Sequence, residues 1–358
     1  MKSLREKIGQ MLIMGFPESE LQSDTSVVEW LKTDGLGGVL LFDFNMPLQT
    51  FDKNLKSREQ IQALNRQLRA SSRSDLPLLI ALDYEGGDID RLQLIDGCPQ
   101  TITPFKQAAL SREAWRFEIG SMALTLQELG FNLNFAPVVD LNLNVKEGII
   151  GKRERSFSVD PDRVAELALD FVREFHEHGI VCCYKHFPGH GSAIGDTHEG
   201  FVDVSETFLP AEIEPYSTLF HSPTIPAMVM TAHVINRQLD PSGLPATLSY
   251  PILTGLLRDE FGFDGVIISD DLQMQAISDH FSLEESLRLT INAGADMVIF
   301  GNQLGSISAP VVVDCIERLV NSGGISMTRI DEAFSRIAGL KSLLSPKIRN
   351  TLLNSKQM

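Results

Sequence analysis

The fold of this chain is decided by one stretch, Ile180-Val181-Cys182-Cys183-Tyr184-Lys185-His186-Phe187-Pro188-Gly189-His190-Gly191-Ser192-Ala193-Ile194-Gly195-Asp196-Thr197-His198. Residues 180–184 are apolar and predict a buried strand. Lys185 and His186 therefore fall at its carboxyl end, where barrels and doubly wound sheets carry their chemistry. Pro188 excludes an ordinary helix after the strand, and we expect the three glycines that follow it to adopt backbone angles that other residues resist. An Asp-x-His pair on such a loop is typical of a mobile proton donor.

Short apolar runs rich in β-branched residues alternate with longer stretches of helical periodicity along the chain. The runs predict strands at residues 11–16, 38–42, 78–83, 132–137, 181–185, 227–231, 265–269 and 297–300. The stretches between them predict helices that include residues 57–70, 111–129, 161–178, 250–260 and 283–293, and a helical apolar stripe covers residues 330–344. Strands and helices that alternate in this way favour a parallel sheet.

No linker or shift in composition divides the chain into separate units. We therefore expect an α/β fold, a single (β/α)8 TIM-type barrel over residues 1–345, followed by a polar tail at residues 346–358. An open doubly wound sheet is the alternative.

The composition indicates a large globular protein with a small-molecule substrate. The chain has 358 residues, of which 43% are hydrophobic and 22% charged, so it can bury a sizeable core. Its 31 basic and 47 acidic residues give a formal net charge of -16, which repels nucleic acids and anionic membranes. Its four cysteines are too few for a disulfide scaffold, and we expect reduced, buried thiols. The apolar run at residues 11–16 is too short for a signal peptide or membrane span, which predicts a cytoplasmic protein.

Polar side chains follow five of the predicted strands at the point where each strand ends. They are Asp83, Asp140, Lys185 with His186, His233, and Asp270 with Asp271. Any one of the aspartates is explained as a helix cap, because aspartate is a preferred capping residue. Since only one rim of a (β/α)8 barrel carries the active site, the coincidence across five strands predicts that these residues meet there.

Six motifs occur together over most of the chain. They are Lys185-His186-Phe187-Pro188-Gly189-His190-Gly191 with Asp196-Thr197-His198; Gly265-Val266-Ile267-Ile268-Ser269-Asp270-Asp271-Leu272; Asp83-Tyr84-Glu85-Gly86-Gly87 with Arg91; Phe135-Ala136-Pro137-Val138-Val139-Asp140; Arg155-Ser156-Phe157 before Asp160-Pro161; and Met230-Thr231-Ala232-His233-Val234-Ile235. Each motif alone is a weak signal. Together they resemble glycoside hydrolases of family 3, of the single-domain β-N-acetylglucosaminidase type.

The resemblance implies that Asp270 is the catalytic nucleophile. A retaining glycosidase needs a carboxylate fixed beneath the anomeric carbon, where it traps the oxocarbenium-like centre as a covalent glycosyl-enzyme. The end of a strand supplies a rigid support for such a group. Asp271 is the competing candidate, but neighbouring residues on a strand face opposite ways, so we expect it to be structural.

The resemblance also implies that His198, oriented by Asp196, is the proton donor in place of the carboxylic acid that most glycosidases use. A nearby carboxylate favours the imidazolium, which can protonate the departing oxygen and later accept a proton from water. The alternative is a surface histidine beside a turn-forming aspartate.

Residues that hold the substrate carry over from the same resemblance. They are Asp83, Arg91, Arg155, Lys185 and His186. The hydroxyls of a sugar need hydrogen-bond partners once water is expelled, and charged groups make the stronger bonds. For the two arginines the alternative is a surface or rim ion pair of little energetic value. We expect Asp140 and His233 to support the rim and His190 to anchor the loop.

Three features depart from the family pattern and bear on the leaving group. Tyr84, Asp88 and Asp90 stand where other residue types are usual, which predicts a more acidic mouth near Arg91. Gln273 replaces a small residue, and residues 151–154 make a longer approach to Arg155. None of these touches the expected nucleophile or donor.

The resemblance predicts a retaining, exo-acting hydrolase that removes terminal non-reducing β-linked N-acetylglucosamine, from muropeptides in peptidoglycan recycling, without a cofactor. A β-N-acetylglucosaminide phosphorylase and a β-glucosidase remain open as alternatives. A metal-dependent barrel hydrolase would use His186, His190 and His198, but Pro188-Gly189 disrupts the helical spacing of such ligands. A non-catalytic glycan-binding protein would lack Asp270 or His198, and this chain has both.

Overall fold

The fold is a closed barrel of eight parallel strands. The structure is a computed structural model that describes residues 2–198, 200–221 and 227–344, so the predicted tail at residues 346–358 lies outside it. The strands are β1 (Leu12–Gly15), β2 (Gly38–Leu40), β3 (Leu79–Leu82), β4 (Leu133–Asn134), β5 (Val181–Phe187), β6 (Ala227–Thr231), β7 (Ile267–Asp271) and β8 (Met297–Phe300). Each strand pairs in parallel with its neighbours in chain order, and β8 closes onto β1. This arrangement confirms the (β/α)8 barrel and excludes the open sheet.

Helices surround the barrel and connect its strands. The α-helices are Leu4–Gln10, Ser26–Thr33, Arg58–Ser71, Pro104–Gln107, Arg112–Leu129, Ile149–Lys152, Pro161–Glu177, Glu214–His221, Gln275–Ser278, Leu283–Ala293, Ala309–Asn321 and Met327–Ser342. Two 3₁₀ segments span Pro210–Ile213 and Ala246–Leu248, and Pro251–Glu260 is a π-helix where an α-helix was expected. Ser57 and Ser111 cap their helices by accepting hydrogen bonds from backbone N–H groups.

The predicted strands and helices are confirmed, with shifted ends. β4 is shorter than predicted, because Pro137 has no N–H to donate to a neighbouring strand. β5 continues to Phe187, so Lys185 and His186 lie among the last residues of this strand and not beyond its end. β7 likewise contains Asp270 and Asp271 as its final residues.

The barrel interior and the layer between strands and helices form one apolar core. All four cysteines are free thiols. Cys182, Cys183 and Cys315 are buried as predicted, whereas Cys98 is only half-buried. At the amino-terminal end of the barrel the fully buried Asp296 accepts hydrogen bonds from Arg258 and Arg329 at 2.6 Å each. Within the described ranges, none of the helices has the length and apolarity needed to cross a bilayer.

Candidate active site

A cavity of about 400 Å³ lies at the carboxyl ends of the strands. Its lining contains every predicted site residue: Asp83, Arg91, Arg155, Lys185, His186, Asp196, His198 and Asp270. A larger cavity of about 680 Å³ lies against Ala227 and Val266, near the amino ends of β6 and β7, and contains none of them. Catalytic groups of a (β/α)8 barrel belong at the carboxyl ends, so the smaller cavity is the candidate site.

Asp270 and Asp271 occupy adjacent positions on β7 but make different contacts. Asp270 Oδ1 accepts a hydrogen bond from the Asp271 N–H at 2.8 Å, and no described residue donates to Oδ2. Both carboxylate oxygens of Asp271 are engaged, by the N–H of Gln273 at 3.0 Å and that of Gly301 at 3.1 Å. Asp271 thus holds the start of two loops, while Asp270 keeps an oxygen free for chemistry.

The electrostatic surroundings keep Asp270 ionised. Burial by itself raises the pKa of the Asp270 carboxyl, but the charge of three nearby histidines outweighs burial, and the net pKa lies below its usual value. The histidines are His186, His198 and His233. In contrast, burial raises the pKa of Asp271 to about 6. The protein therefore favours the anion, the form a nucleophile needs, at Asp270 rather than at its neighbour.

His233 lies buried behind the end of β7. Its Nε2–H donates to the Asp271 carbonyl at 3.0 Å, and its Nδ1 contacts Thr247 Oγ1 at 2.8 Å. Burial lowers the pKa of this imidazole, and the charge of Asp270 partly opposes that effect. The predicted supporting role for His233 fits this position.

His198 and Asp196 form a close pair on the loop after β5. We call residues 188–198 with 200–201 the donor loop. His198 Nδ1 lies 2.6 Å from Asp196 Oδ1, and the backbone N–H of His198 donates to the same oxygen at 2.9 Å. Burial works to lower the pKa of His198, but the hydrogen bond and charge of Asp196 prevail and raise it. Since Nδ1 is engaged, Nε2 is the ring nitrogen left to exchange a proton with another group.

Glu85 organises the cations of the cavity and was not predicted as a site residue. It accepts two hydrogen bonds from Arg155, at 2.9 Å from Nε and 2.8 Å from Nη2, and lies 2.7 Å from Lys185 Nζ. Lys185 Nζ also donates to Asp83 Oδ1 at 3.1 Å. Burial opposes ionisation of Glu85, but the charges of Arg155 and Lys185 overcome it and lower its pKa. The sequence contains one signal for this role of Glu85. Glu85 comes two residues after Asp83, so the two side chains lie on the same face of an extended segment.

Arg155 and Arg91 differ in how firmly they are held. Arg155 is almost buried in its bidentate pair with Glu85, so the alternative of a weak surface ion pair is wrong for this residue. Arg91 lies 3.6 Å from Asp43 Oδ1 and 3.7 Å from Asp83 Oδ2, and its side chain is 26% exposed. These contacts are longer than normal hydrogen bonds, so the donors of Arg91 remain available to a ligand.

Asp140 fixes the two histidines at the base of the donor loop. It lies 2.7 Å from His186 Nδ1 and accepts the backbone N–H of His190 at 2.8 Å. Burial lowers the pKa of His190 to about 4, so this side chain is neutral at physiological pH. Its position at the loop base agrees with the anchoring role predicted from sequence.

The glycines of the donor loop serve two different purposes. Gly189 and Gly195 have φ values of 146° and 98°, which side chains rarely adopt, as predicted. Gly191 does not have a positive φ. A Cβ at Gly191 would lie 2.1 Å from the Leu141 carbonyl oxygen, so this glycine permits close backbone packing instead of an unusual angle.

The expectation of a more acidic mouth is wrong for two of its three residues. Tyr84 is fully buried, and the Asp90 carboxylate accepts hydrogen bonds from the Leu92 N–H and the Thr101 hydroxyl, both at 2.7 Å. Only Asp88 lines the cavity. Tyr84 and Asp90 are directed away because they pair across a short hairpin after β3.

The profile of the glycosyl hydrolase family 3 N terminal domain matches residues 3–340. The chain belongs to glycosyl hydrolase family 3. This membership agrees with the barrel and with the strand-end residues that gather in its cavity.

Relatives of this family 3 chain are similar over much of its length. Beta-hexosaminidase A of Pseudoalteromonas piscicida is 34% identical over 286 residues, covering 74% of this chain and 45% of that protein. Beta-hexosaminidase LpqI of Mycobacterium tuberculosis is 30% identical over 355 residues, covering 95% and 83% respectively. The structure of a family 3 beta-N-acetylglucosaminidase from Paenibacillus sp. matches with a TM-score of 0.85 and 30% identity, covering 96% of this chain and 63% of that one. This chain therefore spans less than two thirds of the first and third of these proteins.

Proposed function

We propose that this chain is a retaining, exo-acting β-N-acetylglucosaminidase that hydrolyses terminal non-reducing β-linked N-acetylglucosamine. Its family is one of glycoside hydrolases, and the relatives described above are named as β-hexosaminidases or as a β-N-acetylglucosaminidase. One observation carries the proposal. A carboxylate held as an anion, Asp270, and an imidazole whose pKa is raised, His198, line the same cavity.

The reaction follows from the free atoms of these two groups. Asp270 attacks the anomeric carbon while His198 Nε2–H protonates the departing glycosidic oxygen, giving a glycosyl-enzyme ester and the free aglycone. A water then attacks the same carbon and transfers a proton to His198, which restores the imidazolium and releases the Asp270 carboxylate. Asp196 is the positioning residue, because it orients His198 and stabilises its charge.

The remaining cavity residues suit recognition of one sugar. Asp83, Lys185, Arg91 and His186 present charged or polar atoms to the cavity, while Glu85 holds Arg155 and Lys185 in fixed positions. Hydrogen bonds that involve a charged partner are about twice as strong as neutral ones, so they can replace the water lost by sugar hydroxyls. The proposed mechanism requires no cofactor.

The experiment that tests the proposal is a trapping and product assay. The enzyme is incubated with a fluorinated N-acetylglucosaminyl fluoride, and the labelled peptide is identified by mass spectrometry. We expect the adduct on Asp270, and an adduct on any other residue would overturn the assigned nucleophile. The p-nitrophenyl β-N-acetylglucosaminide should be cleaved in preference to the matching glucoside.

Phosphorolysis and the muropeptide substrate need their own arm of this assay. A histidine donor repels phosphate less than a carboxylate would, which favours the phosphorylase as the second candidate. Free N-acetylglucosamine as the product in the presence of phosphate supports hydrolysis, whereas its 1-phosphate identifies a phosphorylase. Three predictions stay open: muropeptides as the natural substrate, peptidoglycan recycling as the role and the cytoplasm as the location. Cleavage of N-acetylglucosaminyl-anhydro-N-acetylmuramic acid would test the substrate and the role, and cell fractionation would test the location.

A further inference from the structure

The donor loop reaches the catalytic cavity from anchors on both of its sides. On the first side, Asn144 Nδ2 donates to the Ala193 carbonyl at 3.0 Å and the Gly195 N–H donates to the Glu147 carbonyl at 3.2 Å. On the second side, the strand pair Val202–Asp203 and Val234–Ile235 fixes the chain. Residues 196–198 and 200–201, which include the proposed acid and its partner, lie between these anchors.

Two contacts tie this central part of the loop to the segment that follows the nucleophile strand. The Thr197 carbonyl accepts a hydrogen bond from the Ala276 N–H at 3.3 Å. The Phe201 ring stacks on His280, with ring centroids 3.6 Å apart and planes inclined by 11°. Both Ala276 and His280 come within ten residues of Asp270, on the loop and short helix that extend from β7.

We propose that His280 and Phe201 are positioning residues that hold His198 over Asp270. The inference rests on the proposed function, since it concerns the same proton donor. The hydrogen bond from Ala276 is long, so it restrains the loop only weakly. The Phe201 ring is 43% exposed, so apolar burial alone does not account for the position of this ring. The stacked pair supplies the missing restraint, because it links the donor loop directly to the segment that carries the nucleophile.

The stack restrains the position from which His198 must protonate the leaving group. General acid catalysis requires the donor atom within hydrogen-bond reach of the departing oxygen. Loss of the ring contact leaves Asp196 and His198 paired with each other, because that pair is local to the loop. What changes is the fraction of molecules in which the pair faces Asp270.

Two variants at one position separate stacking from any other role of His280. His280→Ala removes the ring, and His280→Phe keeps an aromatic face without the imidazole nitrogens. Phe117→Ala is the matched control, since Phe117 is an exposed ring on the helix Arg112–Leu129 and does not line the cavity. Both positions are at the surface, so we expect all three variants to fold.

The first measurement is hydrogen exchange of peptides that cover residues 193–202 and 272–280, with unliganded protein. His280→Ala should raise exchange in both peptides by about three- to tenfold, the size expected for one aromatic pair. His280→Phe should restore the exchange of the unaltered protein, and Phe117→Ala should leave it unchanged. Unchanged exchange in His280→Ala would overturn the proposed positioning role, whatever His198 does.

The second measurement is kcat/KM on a disaccharide and on the p-nitrophenyl glycoside. His280→Ala should lose about three- to tenfold on the disaccharide and less than twofold on the nitrophenyl substrate, which needs little protonation. His280→Phe should recover most of the disaccharide activity. Raised exchange with equal losses on both substrates would contradict the donor role of His198, and so the proposed function, while the contact itself would stand. Equal losses in His280→Ala and His280→Phe would contradict the stacking role.

Discussion

Asp270 sits at the end of a strand inside the barrel, whereas His198 sits on a loop and its side chain is 54% exposed. The cavity floor, defined as Asp83, Glu85, Arg155, Lys185 and Asp270, contains an interlocked set of charges. Arg155 and Lys185 both contact Glu85, whose side chain is 1% exposed, and Lys185 also contacts Asp83. The donor loop relies on one carboxylate, Asp196, and a few contacts with neighbouring loops. The proposed nucleophile, which must stay in place, is therefore built into the barrel, and the proposed proton donor, which must serve different oxygen atoms, is kept outside it.

The largest effect should come from the floor, at the proposed nucleophile Asp270. Asp270→Ala should lose roughly 10⁴-fold or more in kcat on every substrate, because no other free carboxylate oxygen is fixed at the end of β7. Asp271→Ala is the matched variant, and it should cost stability while the folded fraction keeps most of its activity. The check is kcat measured beside thermal unfolding for both proteins. A dead Asp271→Ala with an active Asp270→Ala would reverse the assignment.

The next effect should come from the loop and should depend on the leaving group. His198→Ala should lose roughly 10²- to 10⁴-fold on a disaccharide, the usual range for general acid catalysis. On the p-nitrophenyl substrate the loss in glycosylation should be far smaller, since nitrophenolate departs without a proton. Steady-state and pre-steady-state rates on both substrates would measure the difference. Equal losses on the two substrates would refute the donor role.

Breaking the interlocked charges of the floor should affect stability as much as activity. Glu85→Gln leaves Arg155 and Lys185 buried without their shared counter-charge, at a cost of about 3 to 5 kcal/mol in the free energy of unfolding. Glu166→Gln is the control, because Glu166 pairs with Arg163 on an exposed helix face, where about 1 kcal/mol or less is expected. Urea denaturation of the two variants would test the contrast, and similar values would show that the floor is not interlocked.

The smallest effect should be a shift in pH dependence. Asp196 remains ionised at neutral pH, because the hydrogen bonds of His198 overcome burial and lower the pKa of Asp196 to about 2. Asp196→Asn removes the charge that raises the pKa of His198, so the imidazolium is lost at a lower pH. The basic limb of the kcat/KM profile should move to lower pH, with a loss of about tenfold at neutral pH on a disaccharide. A limb that does not move would assign it to another group.

The sequence predicted the parts of this molecule that depend on local pattern. Apolar runs located all eight strands, and polar residues at strand ends located the cavity, because strand direction and burial repeat with short periods along the chain. The predictions were wrong at the ends of strands and where a residue contacts a distant part of the chain. β4 stopped early before Pro137, and Gly191 proved necessary for packing against Leu141, which lies 50 residues earlier in the chain and gives no signal in the loop itself.

The sequence by itself determined the barrel, the residues available at its rim and the chemistry that those residue types can perform. Only the tertiary structure decided which charges meet: that Glu85 joins Arg155 and Lys185, that Asp140 holds His186, and that Asp270 keeps a free oxygen while Asp271 does not. The physical reason is that periodicity is a property of neighbouring residues, whereas an ion pair or a ring stack depends on closure of the barrel, which brings together side chains from distant parts of the chain.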